Sequence, residues 1–255
     1  MKVENRLIIF LIVLGLFLIL ENLFKVRNQN YKKRIVPNIT LVFVSSLLLK
    51  LAFPFGLVAL LLKINQSPSA LALSHLPLYI ELPLTIVIFD LIIYWQHRVF
   101  HMVPYLWNMH IIHHSDRSMD ATTALRFHPL EILISGVIKL VFISLLSPRA
   151  ESFLLYEILL SSFAIFNHSN FKIHKTIDQL LRIIVVTPSF HTPHHSPDKK
   201  LTNTNYGNFL SLWDRIFKTY TPEINSHFGV KELETDNLFT LLKHPLNSSF
   251  FKKKE

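Results

Sequence analysis

Residues 77–115 read PLYIELPLTIVIFDLIIYWQHRVFHMVPYLWNMHIIHHS. The first part, Pro77 to Trp95, is almost wholly apolar and close to the ~20 residues that a helix needs to cross a bilayer. Five histidines follow at once: His97, His101, His110, His113 and His114. Residues four apart share a helix face, so His97 and His101 address one spot just beyond the end of the span, and His110, His113 and His114 are expected to do the same. The H-x-x-H-H spacing returns in HTPHHS as His191, His194 and His195. With 14 histidines in 255 residues, random placement gives roughly 0.04 such matches, so chance does not account for two.

Half of the chain is hydrophobic and only 17% is charged, a balance too apolar for an ordinary soluble domain. Further apolar runs occupy Leu7–Leu20, Ile39–Leu62, Ile132–Ser147 and Phe153–Phe166. The first lacks a small-residue cleavage site and is followed, not preceded, by basic residues, so it reads as a retained span. The second is interrupted by Lys50 and kinked at Pro54. The last two flank Pro148 and are short for a full crossing, which implies tilt, re-entry or extension into the interface. Asn167 to Glu255 is polar enough to lie outside the bilayer. The expected fold is therefore all-α: a polytopic helical membrane protein with a cytoplasmic, histidine-rich, metal-binding helical cap. Its expected divisions are transmembrane spans in 1–89, a catalytic domain with a transmembrane hairpin in 90–220, and a C-terminal tail in 221–255.

The formal charge is +9. Its cations Lys25, Arg27, Lys32, Lys33 and Arg34 sit beside apolar spans, which suits anionic lipid headgroups and not nucleic acid. The positive-inside rule puts that cluster in the cytoplasm, and counting spans from it brings every histidine cluster and the C-terminus to the same side. The bacterial inner membrane, or else the endoplasmic reticulum, is the expected location. The terminal KKKE is similar to a dilysine retrieval signal, although a solvated basic end is the plainer account. Absence of cysteine excludes disulfides, thiolate nucleophiles, iron–sulfur clusters and thiolate-ligated zinc or haem. No glycine-rich nucleotide loop is present, so electrons drawn from a nicotinamide have to arrive through a reductase and a small electron carrier.

Eight clustered imidazoles exceed the capacity of one tetrahedral ion. Two ions of five- or six-fold coordination would use them, with His128 in RFHPLE and His168 in NHSN as further candidates. In the last cluster Pro193 suits a first helical turn capped by Thr192, with His191 just before the helix. Imidazole serves iron, zinc, copper and nickel alike. A membrane setting with no hydrolytic carboxylate pair favours O2 activation against a lipid C–H bond, and hence iron. Asp214 is a candidate hydrogen-bond partner for a ligating histidine. His75, His174, His227 and His244 stand alone; His75, His227 and His244 read as ordinary surface or hydrogen-bonded residues, and His174 as a weaker ligand candidate. Lys50, Glu81, Asp90 and Lys139 are charges inside or at the edges of spans and point to function by default, with snorkelling the alternative for Lys139.

The blocks YWQHRVFH, HIIHHS, TALRFHPLE, NHSN, HTPHHS and NYGNFLSLWDRIFKTY resemble, in order, the motifs of the fatty acid hydroxylase and sterol desaturase superfamily. The resemblance covers about Asp90 to Tyr220. It implies a helical membrane oxygenase whose two iron ions, held by histidine, use O2 to hydroxylate or desaturate a lipid. It also implies that His97, His101, His110, His113, His114, His191, His194 and His195 are metal ligands, with His168 and His128 matching two further histidines of the pattern. Three positions depart from it. Pro193 lies inside the third box, Lys218 stands where glycine is common, and Met102 stands where members resembling alkylglycerol monooxygenase carry Glu, which weighs against that substrate. Two other functions compete with this reading. A zinc-dependent membrane hydrolase would want a Glu general base beside its ligands, which H-R-V-F-H lacks. A metal transporter would place ligands along a path through the spans, not at one end of them.

Overall fold

The computed structural model describes residues 4–28 and 33–246; Lys32 and the terminal KKKE lie outside the described residues. The chain forms α1 (Glu4–Phe24), α2 (Ile35–Ala52), α3 (Gly56–Ile64), α4 (Leu78–Met102), α5 (Pro104–His114), α6 (Pro129–Leu146) and α7 (Ala150–His168). Smaller helices follow: α8 (Lys175–Leu181), α9 (Pro188–His191), α10 (Lys199–Thr202), α11 (Leu212–Ile216) and α12 (Leu238–Lys243). Five helical stretches are long and apolar enough to cross a membrane, with α2 and α3 counting as one. Among the described residues there are no strands, only two isolated bridges. The chain is a multi-pass, all-helical membrane protein.

Three sequence expectations shift. Pro54 breaks the second run instead of bending it, because Phe53 leaves helical geometry and Gly56 adopts φ +74°. The ring of Phe53 then lies against Gly136 of α6, where an added Cβ would stand 2.9 Å from Phe53 Cε2. Pro129 and Ala150 start α6 and α7 earlier than hydropathy implies, giving 18 and 19 residues, enough at ~1.5 Å per residue for a near-complete crossing. Of the charges expected in the spans, Glu81, Asp90 and Lys139 have partners, and Lys50 is exposed. Lys139 Nζ lies 2.6 Å from Glu157 Oε1, with Arg6 2.8 Å from the other oxygen, and Glu81 accepts from Ser152 Oγ and Arg149 N at the start of α7.

Every crossing begins or ends at one face, where a polar cap is fastened to the spans by buried side chains. Glu21 near the end of α1 accepts from Ala121 N (2.8 Å) and Asn170 N (2.6 Å). Asp90 of α4 accepts from Leu210 N (3.0 Å) and from the Trp213 indole (2.7 Å). Arg34, expected at lipid headgroups, is instead buried and bridges Asp116 and Asp120. Arg27 likewise turns inward, donating to Met119 O at 2.9 Å. Arg126 is fully buried and donates to Ile112 O, Ser115 Oγ, Asn38 Oδ1 and Thr235 O.

Residues 221–246, expected to be a plain tail, are a strap. Val230, Leu233 and Leu241 join Leu41 of α2 and Ile111 and Ile112 of α5 in one buried cluster. Thus Leu241→Ala should destabilise the protein by about 2–5 kcal/mol, the usual cost of a buried leucine cavity. Thermal unfolding in detergent measures it; an unchanged midpoint would mean that the strap does not hold the cap.

Candidate metal centre

The α4–α5 corner sets the site. Val103 is extended between the two helices and Pro104 opens α5, so the last turns of α4 face the imidazoles of α5. His168 is added by the C-terminus of α7. The last three arrive on a short double turn: Thr187 caps α9 by accepting from Phe190 N, His191 ends α9, and a 3-10 turn Thr192–His195 follows. The helix therefore starts at Pro188 and not at Pro193, which lies within the 3-10 turn instead.

Nine imidazoles fall into two groups. His97, His101, His110, His114 and His194 form one; His113, His168, His191 and His195 form the other, and within each group the nitrogens lie within 4.8 Å of one another. Both H-x-x-H-H boxes are divided between the groups, contrary to the single-spot expectation. A helix turns about 100° per residue, so His113 looks away from its neighbours His110 and His114. His97 and His101 are half-buried; the other seven are buried.

Backbone and side-chain oxygens fix which nitrogen faces inward. His97 Nδ1 donates to Tyr206 O (2.7 Å), His194 Nδ1 to Thr204 O (2.8 Å) and His168 Nδ1 to Ala164 O (2.6 Å). His110 Nδ1 donates to Glu131 Oε1 (2.7 Å) and His101 Nδ1 to Asn203 Oδ1 (3.3 Å). Carbonyl and carboxylate oxygens only accept, so in neutral rings each Nε2 carries a bare lone pair. These lone pairs converge: His97 Nε2 is 3.0 Å from His110 Nε2 and 2.9 Å from His194 Nε2, and His168 Nε2 is 3.0 Å from His113 Nε2 and 3.1 Å from His195 Nε2. Burial, then neighbouring imidazoles, pushes His113, His114, His191, His194 and His195 well below the usual imidazole range, so these rings are neutral at pH 7.

Neutral lone pairs crowded together without protons to share are the signature of a cation site. Two nitrogens ~2.1 Å from one ion lie ~3.0 Å apart at a right angle and ~3.4 Å apart at a tetrahedral angle. The observed spacings of 2.9–3.1 Å let neighbouring rings share one ion. His114, with neither ring nitrogen hydrogen-bonded, and His101, with Nε2 free, fit the same account.

His128 is the exception among the sequence candidates. Its Nδ1 accepts from Leu130 N as the cap of α6 and its Nε2 meets Leu242 O at 3.2 Å, so both nitrogens are engaged away from the two groups. Glu131, three residues on in the same RFHPLE block, reaches the site instead; nothing in the spacing of the histidines pointed to it. Asn203 was missed too. Asp214 is bonded to none of the nine imidazoles. It accepts from Tyr206 N and Gly207 N (both 2.8 Å) and so holds the loop whose carbonyl orients His97. His75, His174, His227 and His244 lie outside both groups. Lys218 adopts φ +58°, which accounts for the glycine common at that position in the resembling pattern.

A bundle of apolar helices carrying two close groups of imidazoles at one end defines a membrane-embedded metalloprotein. The chain belongs to the fatty acid hydroxylase family, whose model matches residues 82–219 and so encloses all nine histidines. It is 31% identical over 157 residues to human alkylglycerol monooxygenase (61% of this chain, 31% of that protein). It is 28% identical over 144 residues to an ornithine lipid hydroxylase of Rhizobium tropici (56% and 43%), and 26% identical over 142 residues to a Delta(7)-sterol 5(6)-desaturase of Leptosphaeria maculans (56% and 37%). The chain thus covers less than half the length of each of these relatives. No solved structure matches it.

Two outcomes follow from this geometry. Glu131→Ala, which frees the His110 ring, should weaken metal retention about 10- to 100-fold in a chelator challenge while the protein stays folded; unchanged retention would dissociate Glu131 from the site. The pH dependence has a definite sign. Burial holds His113, His114, His191, His194 and His195 well below the usual imidazole range, so as pH falls through that range the unfolded chain takes up protons first and stability drops. Asp116 acts in the same direction at lower pH, since Arg34 and Arg126 hold its carboxyl below the usual range in spite of its burial. The metal-free protein should therefore lose thermal stability steadily from pH 7 to pH 5; a flat profile would contradict the neutral assignment.

Proposed function

We propose that this chain is a membrane oxygenase that holds two iron ions and uses O2 to hydroxylate or desaturate a lipid. The observation that carries this reading is the division of nine imidazoles into groups of five and four, each with ring nitrogens turned inward to within 2.9–3.0 Å of one another at their closest. When bound, iron supplies the redox chemistry that reduces O2 and attacks an unactivated C–H bond. The chain's own residues hold and orient. Tyr206 O, Thr204 O, Ala164 O and Glu131 keep four rings in one tautomer, and Phe127 stacks on His113 at 4.2 Å, helping to close that group from water.

The names of the relatives support a lipid substrate: alkylglycerol, ornithine lipid and sterol. Met102 weighs against alkylglycerol on one position, whereas 31% identity weighs for it; the shared class is a lipid presented from the bilayer. A zinc hydrolase fits less well, since the carboxylate at the centre, Glu131, is bonded to His110 and not set beside an open position. A transporter fits less well because the histidines gather at one end of the spans. Reduction of O2 needs electrons from outside, and this reading assigns them to a separate reductase and carrier on the cap side, which the positive-inside rule makes cytoplasmic. Lys200 lies exposed on that cap and would meet an acidic carrier.

The test combines metal and product. Protein reconstituted with iron, reductase and carrier should contain about two irons per chain and convert membrane lipid to a hydroxylated or desaturated product in proportion to O2 consumed. His97→Ala and His113→Ala, one from each group, should each abolish turnover and lower iron content while leaving membrane insertion intact. One iron per fully active chain, or turnover surviving either substitution, would overturn the proposal.

A further inference from the structure

Helix α8 is amphipathic in the wrong sense for a helix on a soluble cap. Its acidic residue points inward: Asp178 is buried, accepts from Thr187 Oγ1 (2.6 Å), pairs with Arg182, and is bonded by Ser189 Oγ, whereas Lys175, Thr176 and Gln179 are exposed. Its apolar residues point outward. Ile177 is 53% exposed, Leu180 63% and Ile184, just beyond the helix, 59%. Ile177, Leu180 and Leu181 fall at i, i+3 and i+4 on one helical face, and Ile183 and Ile184 on the turn that follows extend the exposed apolar surface. Burying polar groups while exposing five large aliphatic ones is unfavourable in water, where each would forgo roughly 1.5–3 kcal/mol of possible burial.

What covers the stripe is set by its surroundings. The segment leading into α8 is joined to the end of the first span: Phe171 forms a bridge with Lys25, and Lys172 N donates to Phe24 O at 2.9 Å. Leu23 and Phe24 at that end of α1 are themselves exposed, so the apolar outer surface of the spans runs on toward α8. Lys25, Lys172 and Lys175 are exposed around the junction, the arrangement expected where a chain meets phosphate headgroups.

We infer that residues 171–184 form an in-plane membrane anchor, with Ile177, Leu180, Leu181 and Ile184 immersed in the leaflet that the chain's own spans cross. The partner is the lipid bilayer, not another protein. Because Asp178 is bonded to Thr187 and Ser189, which begin the turn that carries His191, the anchor fixes the height of the third histidine box above the bilayer. The inference rests on the membrane-spanning fold and not on the proposed reaction, so it stands or falls without any assay of turnover.

The absence of cysteine makes the test direct. Single variants Ile177→Cys, Leu180→Cys and Ile184→Cys are spin-labelled in the full-length protein, reconstituted into phosphatidylcholine–phosphatidylglycerol vesicles. Collisions with O2, which partitions into lipid, are compared with those of a neutral water-soluble relaxation agent. Ile12→Cys, on the exposed face of α1, reports the bilayer, and Lys200→Cys reports water. The three anchor labels should give O2-to-aqueous collision ratios several-fold above that of position 200 and approaching that of position 12. Ratios equal to that of position 200 would mean a solvated helix. Protection from both reagents would mean that a protein surface covers the stripe. Either result overturns the anchor. If a cysteine at 177 or 180 disturbs folding, Lys175→Cys on the rim provides a second reading: its label should sit at headgroup depth, between the two references, and a fully aqueous value would count against the proposal.

Discussion

Oxygen atoms that can only accept a hydrogen bond determine everything at the centre. Because Tyr206 O, Thr204 O, Ala164 O and Glu131 each take the Nδ1 proton of a histidine, the opposite nitrogen of each ring is turned inward. The rest of the molecule is arranged to keep those oxygens in place. Asp214 holds the peptide before Tyr206 O, and Asn205, at φ +52°, donates to Phe190 O and Thr221 O, so that carbonyls 204 and 206 reach two different rings. Asp90, two turns below His97 on the same helix, receives the loop that follows and locks it to the span.

The arrangement shows how a membrane bundle and a polar cap can share one core. Each long helix that reaches the cap ends in a buried polar contact, and the costs of burying Glu21, Arg34, Asp90 and Arg126 are offset only because their partners lie across the boundary. Loss of a single partner would leave a desolvated charge, so cap and spans are bound to fold together.

Much of this was legible in the sequence, and what was not has definite causes. The apolar runs disclosed the spans, because hydropathy is a local property. The histidine spacing disclosed the centre, but not its division, because spacing says which residues share a face and a box of three straddles two faces. His128 and Glu131 sit in one short block, and only the start of α6 between them decides that the first caps a helix while the second meets His110. Arg34 reads as a lipid contact until Asp116 and Asp120, more than eighty positions away, are brought beside it. The strap escaped notice because Val230, Leu233 and Leu241 lie on mostly irregular chain, where no periodicity marks a buried residue.

That strap bears on how the protein is made. Arg126 and His128 are synthesised near the middle of the chain, yet one donates to Thr235 O and the other meets Leu242 O. A ribosome will have inserted all five spans before either carbonyl exists. Throughout that interval a guanidinium beside the nascent centre lacks one of its acceptors, and Ile111 and Ile112 lack the leucines that cover them. The contacts that complete the cap are therefore the last to be made, after the spans and the histidines are already in place.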